Sequence, residues 1–467
     1  MRNLIRKAPP WINKPIKYVY GLIPYEKRLG KVFWDTYNFL QESQWWSKEQ
    51  LEEYQTRQLE KLLKHAYENV PYYRRVFNER GLKPKDIQDF DDLKKLPYLT
   101  KEIIRNNLKD LVAQNYSRSK LQYSTTGGST GIPMGFYNEK GVSVAKEHAF
   151  IVTLWNRVGY KIGDKCIVLR GNTIRSANKG KFWEYNPINK DLILSSYHMN
   201  DKTLPMYITK IREFKPDFIQ AYPSTITLLA RFMKQNSVKP FQSVKAILCA
   251  SENLYTWQTE LLKGVFKCRV WDFYGLTERV ALAGQCEKSD YYHIQPEYGI
   301  VELIGKNGNI LFNEGELGEI VATGFNNYAC PFIRYRTQDF AILSNEKCEC
   351  GRNYRLFKKI EGRLQDFIIA NDKSLITLTA LIFAQHFDAF GKIKNMQLYQ
   401  DCVGEVIVKI IPTNNFLKED SNEIIKKMES AVSGKIKVEV KIVDKIQRTQ
   451  SGKYKFLIQK LPIKFGE

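Results

Sequence analysis

The sequence predicts an α/β protein: a large N-terminal domain of parallel βαβ sheets with a β-rich subdomain, then a small α+β C-terminal domain. Three observations predict it. Short β-rich runs at Cys166 to Arg170, Ala246 to Cys249 and Arg269 to Phe273 alternate with helical stretches at Val142 to Val158, Ser224 to Gln235 and Leu254 to Val265. Such alternation belongs to parallel strands joined by crossover helices. From about residue 299 the chain reads as strands punctuated by glycine, at Gly299 to Ile304, Asn309 to Phe312 and Glu319 to Thr323. After Gly362 the pattern predicts a helix near 375–387, strands near 404–411 and 436–443, and a helix near 421–432.

In chain order, residues 1–46 form a basic, aromatic segment. Ser47 with Gln50 three positions on is a capping-box signature. Leu51, Leu59, Leu62, Leu63, Ala66 and Val70 follow at helical spacing up to Pro71, so a helix is expected over 48–69. The large domain is placed at 47–361, the small one at 362–467, and the hinge at 361–366.

With 467 residues, 43% apolar and 13% aromatic, the chain has material for roughly two to three packed domains, which excludes a disordered or collagen-like protein. No apolar run reaches the roughly 18 residues of a membrane span. Pro9, Pro10, Asn13, Lys14, Pro15 and Lys17 interrupt any signal-peptide core, so a reducing cytoplasm is expected. Eight cysteines in this length are too sparse for a disulfide scaffold. The formal charge of +22 favours an anionic partner. Residues 1–40 carry eight basic residues against Glu26 and Asp35, interleaved with Trp11, Tyr18, Tyr20, Tyr25, Phe33 and Trp34 among others, which suggests peripheral contact with an anionic membrane at its inner face. The motifs of nucleic-acid recognition are missing, and no nucleic acid is expected.

Three motifs carry chemistry. Tyr123-Ser-Thr-Thr-Gly-Gly-Ser-Thr-Gly-Ile-Pro133 is rich in the hydroxyls and glycines that bring donors onto phosphate oxygens, yet it lacks the Gly-Lys-Ser/Thr of a Walker loop. Trp271-Asp-Phe-Tyr-Gly-Leu-Thr-Glu278 is the second. The third is Gly315-Glu-Leu-Gly-Glu319 leading to Arg334-Tyr-Arg-Thr-Gln-Asp339. Ala250-Ser-Glu-Asn253 follows an apolar strand and precedes a helix, at the strand ends where ligands of parallel sheets bind.

This order of motifs, with Gly362-Arg363 and Ser451-Gly-Lys453 after it, resembles the adenylate-forming superfamily of acyl-CoA synthetases and luciferases. Leu96-Pro-Tyr-Leu-Thr-Lys101, Tyr222-Pro-Ser224 and Cys348-Glu-Cys-Gly-Arg352 resemble its phenylacetate-CoA ligase branch, including the CapK-type members associated with capsular polysaccharide synthesis. The resemblance spans roughly residues 50–460. It implies an AMP-forming carboxylate ligase that uses ATP and magnesium to make an acyl-adenylate and then transfers the acyl group.

The resemblance also implies the site. Thr126, Gly127, Gly128, Ser129, Thr130 and Gly131 would hold the phosphates, with Thr277 and Glu278 at the reacting phosphate and Glu278 on Mg²⁺, a hard cation suited to carboxylate oxygen. Ser251, Glu252, Tyr274 and Gly275 would flank the nucleotide and acyl group. Asp339 would accept from both ribose hydroxyls, Arg363 would contact the ribose, and Lys453 would swing in for adenylation. Ile132 and Gln365 depart from the usual residues, and Asn371 or Asp372 must make the turn where a glycine is usual. The acceptor is therefore left open between the thiol of CoA, an amine and a hydroxyl. The acid is expected to serve cell-surface glycan modification, with a phenylacetate-type aryl- or acyl-CoA ligase as the alternative.

Cys286, His293, Cys348 and Cys350 could complete a tetrahedral structural zinc site, tying the β-rich region to the strand after Glu278.

Overall fold

The computed structural model describes residues 10–126, 134–172, 174, 177, 180–363, 366–378, 381, 392–446 and 455–463, with side chains from residue 15 onward. The capping box forms as expected. Ser47 Oγ accepts the Gln50 N–H at 3.3 Å, and Gln50 Oε1 accepts the Ser47 N–H at 2.9 Å. It starts a helix over Lys48–Asn69 whose Leu59, Leu62, Leu63 and Ala66 enter the core. A cap of this kind contributes about 1 kcal/mol.

Strands β1 (Leu121–Thr125) and β2 (Gly135–Glu139) form a hairpin. A helix over Ser143–Asn156 follows. A twelve-stranded sheet then holds β3 (Cys166–Leu169), β4 (Trp183–Asn186), β5 (Asp191–Leu194), β6 (Phe218–Ala221), β7 (Ala246–Ala250), β8 (Arg269–Gly275), β9 (Leu282–Gly284), β10 (Tyr292–Ile294), β11 (Gly299–Ile304), β12 (Leu317–Gly324), β13 (Tyr335–Ser344) and β14 (Leu356–Arg363). Its order is β11-β12-β13-β14-β10-β9-β8-β7-β6-β3-β5-β4. Neighbours β5, β3, β6, β7 and β8 run parallel, with helices Pro223–Gln235 and Thr256–Phe266 as crossovers, while β8 to β14 pair antiparallel. The βαβ half and the β-rich half are thus two ends of one sheet. All five residues of β7 are buried, as a strand covered on both faces requires.

Beyond Arg363 lie the hairpin β15 (Phe367–Ile369) and β16 (Leu375–Thr377), then β17 (Ile393–Gln400), β18 (Glu405–Pro412), a helix over Lys418–Ala431, β19 (Lys437–Ile442) and β20 (Leu457–Gln459). The last four strands form a sheet in the order β19-β18-β17-β20 around Leu398, Val408, Ile410, Ile424 and Met428.

Four expectations need correction. Leu375–Thr377 is a strand, not the start of a helix, because Ile376 pairs with Ile368 in the hairpin; most of 378–387 lies outside the described residues. Asn309–Phe312 makes one bridge, Ile304 to Ile310, and no strand. The left-handed residue of the turn after the hinge is Lys373, at φ 63°, rather than Asn371 or Asp372. Phe33, expected at an interface, turns inward instead, as does Leu40: both are buried against side chains of the 143–156 helix, and the Phe33 ring lies 5.1 Å from the His148 ring.

Candidate active site

The phosphate-loop residues Gly127, Gly128, Ser129, Thr130, Gly131 and Ile132 lie outside the described residues, but the stem of that loop is fixed. Thr126 N–H donates to Met134 O at 2.9 Å, and Thr126 Oγ1 accepts the Met134 N–H at 3.0 Å. The hairpin β1–β2 thereby closes the loop at its base.

Two distant motifs meet at Asp339. Tyr274, at the end of β8, donates its hydroxyl to Asp339 Oδ2 at 2.9 Å, and Arg363 Nε on the paired strand β14 lies 3.3 Å from Oδ1. Gln338, at φ 64°, turns the chain immediately before Asp339. Burial pushes the Tyr274 phenol well up, and the Asp339 carboxylate beside it pushes the same way. Burial alone would lower Arg363, but the carboxylates of Asp339 and Asp366 outweigh it and hold the guanidinium more firmly protonated.

The polar pairs around this cradle tie strands together. Arg334 Nε and Nη2 donate to both oxygens of Glu302 at 3.0 and 2.7 Å, and Arg336 Nε donates to Glu319 Oε2 at 2.9 Å. Glu319 Oε1 also accepts the Gln338 N–H at 3.1 Å. The Arg-x-Arg and Gly-Glu-x-Gly-Glu motifs therefore fasten β13 to β11 and β12, and so set where Asp339 stands.

Glu278 is buried, and its Oε1 accepts the Tyr335 hydroxyl at 2.7 Å. Among the described residues this is its one hydrogen bond, and no cation forms an ion pair with it. Lys101 and Arg363 act on it only from beyond ion-pair distance, and a buried carboxylate without a direct cation fits Mg²⁺ with phosphate oxygens. Thr277 and Gly275 are exposed beside it. Ser251 is exposed and left-handed, at φ 70°, at the end of β7. Glu252 accepts from the Ser224 N–H at 2.9 Å and from the Ser224 hydroxyl at 3.1 Å, which ties it to the start of the 223–235 helix.

Lys453 and Gln365 lie outside the described residues, but the flank of the lysine segment is at the site. The Phe456 ring lies 5.5 Å from the Tyr255 ring, and burial lowers Lys455, with Asp366 opposing. Gly362, within the segment expected to be a hinge, has φ 100°, and a Cβ there would collide with the Asn253 amide and lie 2.9 Å from Asp366 Oδ2. Only glycine fits both the backbone and the space.

Lys101, at the end of the Leu96-Pro-Tyr-Leu-Thr-Lys101 run, also reaches this region. Its Nζ donates to Gln338 Oε1 at 3.0 Å, and burial lowers its pKa, with Arg363 adding to that and Asp339 and Glu278 opposing it. It is a second cation, with Arg363, beside Asp339 and Glu278. No spacing rule in the sequence places it there.

The four residues expected to bind zinc do converge. The ligand atoms of Cys286, His293, Cys348 and Cys350 all lie within 4.8 Å of one another, with Cys286 Sγ 3.5 Å from Cys348 Sγ and Cys350 Sγ 3.3 Å from His293 Nε2. Pairing of β9, β10 and β14 brings them together, because His293 stands opposite Leu356 and Gly284. His293 Nδ1 lies 3.2 Å from Tyr291 O, which leaves Nε2 to face the sulfurs. The Ser289 and Lys288 N–H groups donate to Cys286 Sγ at 3.2 and 3.3 Å. Cys286 and Cys350 form one hydrogen-bonded pair that draws the Cys286 thiol down, helped by His293 and Lys288, and pushes the Cys350 thiol up. These are the surroundings of a thiolate metal ligand.

Known proteins share this fold and parts of this sequence. The fold superposes on 2-hydroxyisobutyryl-CoA ligase in the postadenylation state in complex with R3-HIB-AMP, with a TM-score of 0.71 at 17% identity, over 89% of this chain and 91% of that one. In sequence the chain is 27% identical over 339 residues to phenylacetate-coenzyme A ligase of Aromatoleum evansii, covering 70% of this chain and 74% of that protein. Fold, motif order and relatives define the class: an adenylate-forming, AMP-forming ligase. Within it, the chain is 26% identical over 472 residues to Protein CapK of Staphylococcus aureus, covering 99% of this chain and 100% of that protein. Residues 368–460 match the family described as CapK C-terminal domain.

Proposed function

We propose that this chain adenylates a small carboxylic acid with ATP and Mg²⁺ and transfers the acyl group to an acceptor in the synthesis or modification of a cell-surface polysaccharide. The observation that carries the reading is the meeting of Tyr274, Asp339 and Arg363 beside Glu278. Asp339 would accept the ribose hydroxyls, Arg363 would contact the same sugar, and Glu278 would hold Mg²⁺ on the phosphates. Magnesium would neutralise the leaving pyrophosphate. The loop from Thr126 to Gly131 would supply N–H and hydroxyl donors to the phosphates as charge builds. Ser251, Glu252, Tyr274 and Gly275 would wall the adenine and acyl group, and Thr277 would stand at the reacting phosphate.

Lys453 would bring its ammonium between the carboxylate and the α-phosphate, carried by a small domain that starts at 362 and pivots about Gly362. Its catalytic weight falls on the first half-reaction alone. Similarity to CapK along the full length, rather than over about 70%, supports the polysaccharide role over a phenylacetate-type CoA ligase. The acceptor would be an amine or hydroxyl of a glycan precursor, with CoA thiol as the alternative. Carboxylate-dependent ATP–pyrophosphate exchange tests the reading. Exchange that survives Lys453→Ala would contradict it.

Two features accompany this activity. The Cys286, His293, Cys348 and Cys350 cluster would hold a structural zinc, which fixes the β9–β10 turn to the 348–350 segment. Among the described residues no helix is long and apolar enough to cross a membrane. Tyr18, Val19 and Leu22 nevertheless stand exposed on the helix Pro10–Leu22, within the basic N-terminal segment. Their position supports a cytoplasmic enzyme that rests on the anionic inner face of the membrane.

A further inference from the structure

We propose that the acid activated by this chain carries a second anionic group, a carboxylate or a phosphate, and that Arg170 binds it. The proposal rests on the carboxylate-ligase reading above and names the substrate class of that site.

Four neighbouring parallel strands, β3, β6, β7 and β8, end on one edge of the large sheet, and the residues at those ends line the crevice where such sheets bind ligands. Tyr274 lies at the end of β8, Ser251 follows β7, Tyr222 follows β6 and Arg170 follows β3. Tyr274 touches the nucleotide end through Asp339. Three strand spacings separate β8 from β3, about 14 Å along the edge. That span is filled by a small acyl group together with the length of an arginine side chain reaching back toward the centre.

Arg170 does reach back. Its Nη2 donates to Ser251 Oγ at 3.1 Å, and its guanidinium carbon lies 5.9 Å from the centre of the Tyr222 ring. Among the described residues this is its one hydrogen bond, and no carboxylate forms an ion pair with it. The acidic neighbours are already engaged: Glu147 with Arg279, and Glu252 with the Ser224 N–H and hydroxyl. A guanidinium has five N–H donors in a planar fork and stays protonated in proteins. Arg170 is half-buried at this edge, and that partial burial lowers its pKa while Tyr222, Cys249 and Glu147 oppose. A half-buried guanidinium with one hydrogen bond among the described residues gains from a bidentate anionic partner. A neutral aryl or alkyl tail would leave it unpaired, a hydroxylated tail would satisfy donors without compensating charge, and an anionic oxygen pair would do both.

The test is ATP–pyrophosphate exchange by the full-length protein with acids matched in length: butyrate and succinate, benzoate and phthalate, glycerate and 3-phosphoglycerate. Wild type, Arg170→Leu and Arg170→Lys are compared, each checked by thermal melting. The expected result is a lower KM for the doubly anionic member of at least one pair. Arg170→Leu raises that KM about 10- to 100-fold, as loss of charge-assisted hydrogen bonds does. Arg170→Lys raises it less, and the KM for ATP stays within about twofold in both variants. The dicarboxylate and phosphate arms identify which anion is bound. Preference of the wild type for the neutral-tailed acids, an unchanged acid KM in Arg170→Leu, or a rise in the KM for ATP would each overturn the proposal and leave the ligase reading standing. Exchange with none of the acids, including the neutral ones, would instead remove the ligase reading and this inference with it.

Discussion

Arg363 Nε lies 3.3 Å from Asp339 Oδ1 across the β13–β14 ladder, where the two residues are direct partners. The same carboxylate accepts the Tyr274 hydroxyl. Its geometry is therefore set before any nucleotide arrives. Asp339→Ala is expected to raise the KM for ATP about 10- to 100-fold, the cost of losing hydrogen bonds to a charged acceptor, with the acid KM little changed. Steady-state exchange at saturating acid measures it.

Zinc should accompany the protein through purification at about one equivalent, as a closed four-ligand site retains its metal. Elemental analysis checks the content, and Cys348→Ser should lower it and the melting temperature together. Metal content below about a tenth of an equivalent in the wild type would leave these four side chains as ordinary thiols and an imidazole.

Gly362→Ala introduces a Cβ against Asn253 and Asp366 at a left-handed φ of 100°. The substitution should destabilise the protein by about 1–3 kcal/mol and slow turnover, because the strain falls at the hinge. Chemical denaturation and turnover of the purified variant read the two effects separately.

Burial raises the Asp191 carboxyl from 3.8 to about 6, with the Asn189 and Asn186 side chains opposing. The folded state then holds a proton that the unfolded chain releases, so this residue's contribution to stability is full below about pH 4 and is lost as pH rises through about 6. Asp191→Asn should remove that loss. Melting temperatures of wild type and variant at pH 4.5 and 7 should diverge in favour of the variant at the higher pH.

Much of this was legible in the sequence for physical reasons that differ by element. The 48–69 helix carries its own signals, a capping box and a 3.6-residue apolar repeat. The Cys286, His293, Cys348 and Cys350 cluster was visible because so few side-chain types bind zinc. Other features depend on partners far away in the chain. The Leu375–Thr377 segment fits a strand or a helix by its apolar pattern, and pairing of Ile376 with Ile368 decides it. Phe33 and Leu40 read equally as interfacial or core residues until the 143–156 helix lies over them. Lys101 and Arg170 lie in segments with no metal or phosphate spacing, so only the folded chain brings them to the site.

The central claim is that the carboxylate attacks the α-phosphate of ATP. An acid that supports exchange, labelled with ¹⁸O in both carboxylate oxygens, should be turned over with hydroxylamine as acceptor and the nucleotide product analysed by mass spectrometry. The acyl-adenylate route leaves the bridging oxygen on phosphorus when the carbonyl is attacked, so AMP should carry one ¹⁸O per turnover and inorganic phosphate none. Label in inorganic phosphate, with ADP as the nucleotide product, would contradict it.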